Sequence, residues 1–225
     1  MLVYGKQPVY YALEHHKDRI KVLYLAKEID KKEYANLMRL GLEIKRIPEK
    51  AAQAMCKGGN HQGWIVEISA LVPYASPFLK RCDFVVVLNS ITDVGNIGSL
   101  VRSAYALGVD ALVITGIKDV KLEPLIRTST GAALDLPLVI VHNIHDVMHE
   151  LKQSGFTLYG AMMEGEDVRK MTFSSKKALI LGNEGEGLSG RVQKGLDEGI
   201  SITMSNNFDS LNVAVAGAIL MERMR

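Results

Sequence analysis

Residues 83–116 read DFVVVLNSITDVGNIGSLVRSAYALGVDALVITG. The stretch opens on FVVVL, an apolar run with no polar alternation, as in a strand covered on both faces of a parallel sheet. A loop holding Gly95 and Gly98 follows, then the helical segment IGSLVRSAYALG and a second apolar strand, VDALVITG. Strand, helix and strand in that order predict a parallel pair joined by a crossover helix. Downstream, LPLVIVHN, FTLYGAMM, KKALILGN and ISITM read as further strands. Helices are expected at 122–133, in IHDVMHELKQSG, after the loop EGEGLS and at the C-terminal end. Residues 82–225 are therefore expected to form an α/β domain with a mostly parallel sheet.

Upstream, residues 1–70 alternate helix and strand on a smaller scale. GKQPVYYALEHH is a helix with Pro8 near its start, and IKVLYLA is a strand. KKEYANLMRLG is a helix stopped by Gly41, LEIKRI a strand, PEKAAQAMCKGG a helix begun on Pro48, and WIVEISALV a last strand. This is a compact α/β module, too short for a dinucleotide-binding domain. Residues 71–81 carry Pro73 and Pro77 and are expected to be a stiffened linker.

Charge divides along the same line. Residues 1–81 hold 14 Lys and Arg against 8 Asp and Glu, whereas residues 82–225 hold 13 against 17. A nucleic-acid-gripping module attached to a small-molecule module has this asymmetry, and so does an ordinary solvated surface. Hydrophobic residues make up 48% of the chain, enough for a real core. No run reaches the length of a membrane span. MLVYGKQPVYYALEHH is broken by Lys6, Pro8 and Glu14 and lacks a signal-peptide layout. Cys56 and Cys82 stand far apart with no CxxC, so free thiols in a reducing cytoplasm are expected and no metal site.

In α/β sheets ligands sit beyond the C-terminal ends of the strands. Three loops leave such ends with unusual residues. In the first, TDVGNIGSLVR, Asn96 can donate and accept through one amide, and Arg102 is placed about one turn into the helix, where its fork suits a phosphate. GNIGSL lacks the GxGxxG spacing, and no GK[ST] follows, so neither a dinucleotide fingerprint nor a Walker A loop is present. In the second, LILGNEGEGLS, Gly182, Gly185 and Gly187 allow the backbone to wrap a flat ligand, and Glu184 could hold an amino group or a neighbouring Arg. In the third, SNNFDSLNV, Ser210 and Asn212 straddle Leu211 at a helix start, where Ser is an ordinary N-cap. Each loop alone is equally readable as a capped turn with solvated charges. The helix that follows, NVAVAGAILM, carries no charge and many small residues, which implies protein on most of its sides. Between an upstream helix and strand, GGNHQGW offers Asn60, His61 and Gln62 as donors on a flexible loop, suited to RNA phosphates and base edges.

Taken in chain order, NxGxxxR, LxGNEGxGL and SLNVxVA resemble the three signature motifs of the SpoU (TrmH-type) branch of the SPOUT RNA methyltransferases. GKQPVYYAL and GGNHQG resemble the L30e-like RNA substrate-binding domain of many members, so the likeness covers nearly the whole chain. The resemblance implies methyl transfer from S-adenosylmethionine to a ribose 2′-hydroxyl of RNA. It also implies a trefoil-knot α/β domain, and a homodimer with its sites near the subunit interface. Asn96 and Arg102 match the first motif's Asn and catalytic Arg, Glu184 the second motif's Glu, and Ser210 and Asn212 the polar pair of the third. Cofactor contacts would come from Leu181, Gly182, Ile202, Met204 and Leu211, and RNA contacts from Asn60, His61, Gln62 and Arg102. Val94 and Thr203 stand where the family often has Pro, Asn206 where it has Gly, and Ala214 where it has Ser. The implied substrate is a guanosine of large-subunit ribosomal RNA. Transfer RNA is the runner-up, and a catalytically silent RNA-binding or assembly protein on the same fold is the competing class. A nicotinamide or ATP enzyme is disfavoured by the failed fingerprints.

Overall fold

A computed structural model describes residues 1–183, 185–205 and 210–225. The chain divides into two compact units, Met1–Val72 with Lys121–Leu134, and Pro73–Val120 with Asp135–Arg225.

The first unit holds β1 (Leu2–Tyr4), α1 (Lys6–His15), β2 (Ile20–Leu25), α2 (Lys31–Arg39), β3 (Glu43–Arg46), α3 (Glu49–Met55) and β4 (Trp64–Ile68). Its sheet runs β1-β4-β2-β3, with β4 antiparallel to both neighbours and β2 parallel to β3. Local chemistry sets the helix ends. Asp30 Oδ1 caps α2, accepting from Lys32 N–H at 2.8 Å and from Glu33 N–H at 3.3 Å. Such a side chain satisfies donors that the first turn leaves open. Gly41 follows α2 at a φ of 67°, the left-handed turn that ends many helices. β1 is the element that periodicity does not reveal, because three residues are too few to show a period. It is secured by pairing, Val3 opposite Val66 and Tyr4 opposite Ile65.

The second unit runs β5 (Phe84–Asn89), α4 (Val94–Ala106) and β6 (Ala111–Thr115). After the excursion to α5 (Leu122–Thr128) come β7 (Leu138–Ile140), α6 (Ile144–Gln153), β8 (Thr157–Asp167), β9 (Lys177–Leu181), α7 (Gly190–Gln193), β10 (Glu198–Ser201) and α8 (Val213–Met224). The six strands are ordered β10-β8-β9-β5-β6-β7, and every pair is parallel. Val85, Val86, Val87 and Leu88 are wholly buried, as the unbroken apolar run requires.

Three segments differ from expectation. Residues 71–81 are not a bare linker. Tyr74 bridges Val139, Ser76–Arg81 is a 3-10 turn with Pro77 at its start, and Leu79 is buried in one core cluster with Val85, Val87 and Leu158. The helix expected over 122–133 stops at Thr128, because Thr130 and Gly131 turn to φ of 58° and 102° before a short 3-10 turn. α5 belongs to the first unit, where Arg127 Nη1 donates to the Tyr4 hydroxyl at 2.7 Å. β8 is 11 residues long, and its pairing with β10 jumps from Gly160 opposite Gly199 to Glu166 opposite Ile200.

α8 packs on α4 and β9. Gly217 makes this possible, since a Cβ there would collide with Leu100 Cδ2 and lie 2.8 Å from Leu181 Cδ1. Leu100 and Leu181 are themselves at most 1% exposed and have nowhere to move. Gly217→Val is expected to destabilise the protein by about 1–3 kcal/mol, the usual penalty for overpacking, measured by urea unfolding.

Candidate functional site

Parallel pairing brings the C-terminal ends of all six strands to one edge. The order reverses between β5 and β9, because β6 and β7 extend the sheet on one side and β8 and β10 on the other. Crevices at such switch points bind ligands. The loops leaving β5 and β9 flank a cavity of about 430 Å³ there. Ser90, Thr92, Asp93 and Asn96 line it from the first loop, and Asn183 and Glu186 from the second.

Both loops are held by short side chains bonded to their own backbone. Asp93 caps α4, its Oδ1 accepting from Asn96 N–H at 2.7 Å. Asn183 Oδ1 accepts from Gly185 N–H at 3.1 Å and from Glu186 N–H at 2.7 Å, and Gly187 N–H returns to the Asn183 carbonyl. An Asn that bonds its own backbone two residues on closes a turn in this way. The second loop folds so tightly that a Cβ on Gly182 would collide with the Gly187 carbonyl. Asp93 and Asn183 are site residues that motif reading passed over. Their signal was local, a cap or turn residue directly before backbone donors.

The third loop is tied to the first by Asn212. Its Oδ1 caps α8, accepting from Ala214 N–H at 2.9 Å and Val215 N–H at 3.4 Å, while its Nδ2 donates to Asn96 Oδ1 at 3.0 Å. Two expected site residues, 116 positions apart, are thus in direct contact at the starts of two helices. Asn212 therefore takes the N-cap role, and exposed Ser210 stands two residues earlier in the chain.

The other expected residues divide. Leu181 is 1% exposed and faces α8, so its backbone and that of Gly182 are what the end of β9 offers. Ile202 and Leu211 are half-buried at the exit of β10 and the entrance of α8, as is Met204. Glu184 and Asn206 lie outside the described residues. Arg102 is exposed, and its guanidinium makes no ion pair or hydrogen bond among the described residues. α4 starts at Val94, so Arg102 lies more than two turns in rather than one. It stands about 9 Å along the axis from Asn96 and on another side of the helix.

On the first unit, Asn60 and Gln62 are exposed, but His61 is only 1% exposed. Its Nδ1 accepts from Gly63 N–H at 3.1 Å, and its Nε2 lies 3.3 Å from Glu49 Oε1, out of line for a hydrogen bond. The imidazole is folded inward to satisfy a buried backbone donor, so His61 does not offer its ring to RNA. Gln62 Oε1 accepts from Lys6 N–H at 2.8 Å.

Several chemistries find no support among the described residues. No group of His, Cys, Asp and Glu could hold a metal. Burial raises both thiols, Cys82 to about 11, so neither is a ready nucleophile. No helix is long and apolar enough to cross a membrane.

The chain thus joins a parallel-sheet α/β unit with polar, backbone-rich loops at its switch point to a second α/β unit in a basic stretch of sequence. Residues 83–222 match the SpoU rRNA methylase family, and residues 2–74 match the RNA 2′-O ribose methyltransferase substrate-binding family. The chain belongs to the SpoU family and is an S-adenosylmethionine-dependent RNA 2′-O-ribose methyltransferase. It is 29% identical to the 23S rRNA (guanosine-2′-O-)-methyltransferase RlmB of Pseudomonas putida, over 99% of this chain and 95% of that one. The RlmB of Yersinia pestis is 30% identical over 100% and 96%. Among solved structures, the SpoU methyltransferase AviRb from Streptomyces viridochromogenes, in complex with S-adenosylmethionine, is 28% identical. It superposes with a TM-score of 0.76 over 99% of this chain and 88% of that one.

The cap and the tie made by Asn212 are separable. Asn212→Ala is expected to lose about 1 kcal/mol from the missing cap together with the tie to Asn96. Asn212→Asp keeps the cap and loses only the amide donor, so urea unfolding near wild type combined with reduced turnover is the expected pattern.

Proposed function

We propose that this enzyme methylates a guanosine 2′-hydroxyl in 23S rRNA. The observation that carries the reading is full-length likeness, across both units, to relatives named for that reaction. When bound, S-adenosylmethionine supplies a sulfonium methyl whose departure leaves a neutral thioether, so alignment is the main demand on the protein. The half-buried Ile202, Met204 and Leu211 present apolar surface, and Leu181 and Gly182 present backbone, a combination that fits a flat base with polar edges. Arg102 holds the phosphate and ribose of the target nucleotide. Its guanidinium stays charged and is a poor base, so the 2′-hydroxyl proton passes to substrate phosphate or solvent. Asn96, Asn212, Ser210 and Glu184 orient the loops around it, and Asn60 and Gln62 contact RNA from the first unit.

The working form is a homodimer. Val215 and Ile219 on α8 and Val94 and Tyr105 on α4 are apolar and 38–49% exposed, and α8 carries no charge on its first nine residues. A partner on that face would cover them and give Arg102 the company it lacks among the described residues of its own chain.

Transfer of a labelled methyl group to total RNA, followed by mapping, tests the reading. Label in 23S rRNA is expected. Label confined to tRNA would favour the alternative substrate, and RNA binding with no incorporation would point to a silent assembly protein. Arg102→Lys is expected to lower turnover by roughly 10²-fold, because a point charge cannot replace the planar fork. Near-full turnover would remove Arg102 from the mechanism.

A further inference from the structure

The loop that follows β10 is gripped by a short segment at the end of β8. Ser201 Oγ donates to the Gly165 carbonyl at 2.8 Å, and two residues on, Thr203 Oγ1 donates to Asp167 Oδ2 at 2.6 Å. Asp167 is fully engaged. Its carboxylate also accepts from Arg169 N–H at 2.9 Å, from Arg169 Nε at 3.1 Å on both oxygens, and from Arg169 Nη2 at 2.6 Å. Arg169 in turn offers its carbonyl to Arg223 Nη2 of α8 at 3.3 Å. Residues 165–169 therefore touch the chain on both sides of the third loop, at 201 and 203 before it and at 223 after it.

The chemistry of Asp167 suits a fixed anchor. Its side chain is only 10% exposed while that of Arg169 is 66% exposed, so the Arg folds down onto the carboxylate from solvent. Hydrogen bonds from Arg169, then from Thr203 and the Arg169 backbone, hold the carboxyl well below the usual carboxylate range. It is charged at any pH near neutral, and the bond from Thr203 is charge-assisted. Thr203 lies between Ile202 and Met204 and is itself exposed, so its hydroxyl is spent on position rather than packing.

We infer that Asp167 is a positioning residue for S-adenosylmethionine binding, acting through Thr203 to set the backbone of Ile202 and Met204. This rests on the assignment of those two residues as cofactor contacts. Ser201 and Thr203, two positions apart, both turn toward this segment, the alternation by which an extended chain would send the side chains of 202 and 204 the other way. Fixing residue 203 from below thus presents 202 and 204 together, and the ordering is done before the ligand arrives.

Calorimetry with S-adenosylhomocysteine and turnover kinetics on the full chain test this. Thr203→Val and Asp167→Asn are each expected to raise Kd, and KM for S-adenosylmethionine, roughly tenfold, the scale of one hydrogen bond to a charged group. The kcat at saturation is expected to be unchanged. Thr203→Ser keeps the hydroxyl and is expected to stay within about twofold of wild type. The double variant is expected to be no weaker than either single one, since both break the same bond. Should Asp167→Asn unfold, the exposed Thr203→Val and Thr203→Ser pair still decides the matter. An unchanged Kd in Thr203→Val, or equal losses in Val and Ser, overturns the inference. Ile202→Ala and Met204→Ala serve as the control. If these leave Kd unchanged, the cofactor contacts lie elsewhere and both readings fall; if they weaken binding while Thr203→Val does not, only the inference falls.

Discussion

One amide group ties the last helix to the site. Asn212 uses its oxygen to satisfy the first donors of α8 and its nitrogen to hold Asn96 at the start of α4. A helix start has unsatisfied N–H groups that must find partners, and here the partner is a side chain that also reaches across to a second helix. The contact depends on the two helices lying close together, which in turn depends on Gly217 having no side chain. Backbone satisfaction, helix packing and loop position are therefore set by two residues little more than a helical turn apart.

The same economy runs through the sheet edge. Asp93, Asn183 and Asn212 are short polar residues that close a loop or cap a helix, and each borders the crevice at the switch point or meets a residue that lines it. Stable caps and a preorganised polar pocket call for the same residue types in the same places. This is why each loop, read singly in the sequence, is indistinguishable from an ordinary turn.

What can be read from sequence follows from how far each signal extends along the chain. The parallel domain is legible because Val85, Val86, Val87 and Leu88 have no polar alternation and because helices separate the strands. β1 is not, since its three residues acquire their conformation from β4 rather than from any pattern of their own. Residues 71–81 look like a linker from their prolines, yet Leu79 is core. His61 looks like a donor among glycines, but the Gly63 N–H needs an acceptor and draws the ring inward. The contact between Asn96 and Asn212 cannot be seen from spacing, because it spans 116 positions and depends on the fold. The motifs place the polar residues in the chain, but not the depth of Arg102 in α4, which follows from where Asp93 starts the helix.

The excursion from β6 into α5 has a consequence for the order in which the protein is made. The first unit is not finished when Val72 has been synthesised, because α5 lies among its own residues, with Arg127 bonded to Tyr4. β5, α4 and β6 must leave the ribosome before that helix is available. Domains usually fold as units, the N-terminal one first. Here the N-terminal sheet waits with β1 not yet covered until Lys121–Leu134 arrives, and by then β5 and β6 have already been made. A nascent chain whose Leu134 has not yet cleared the exit tunnel therefore holds an incomplete first unit.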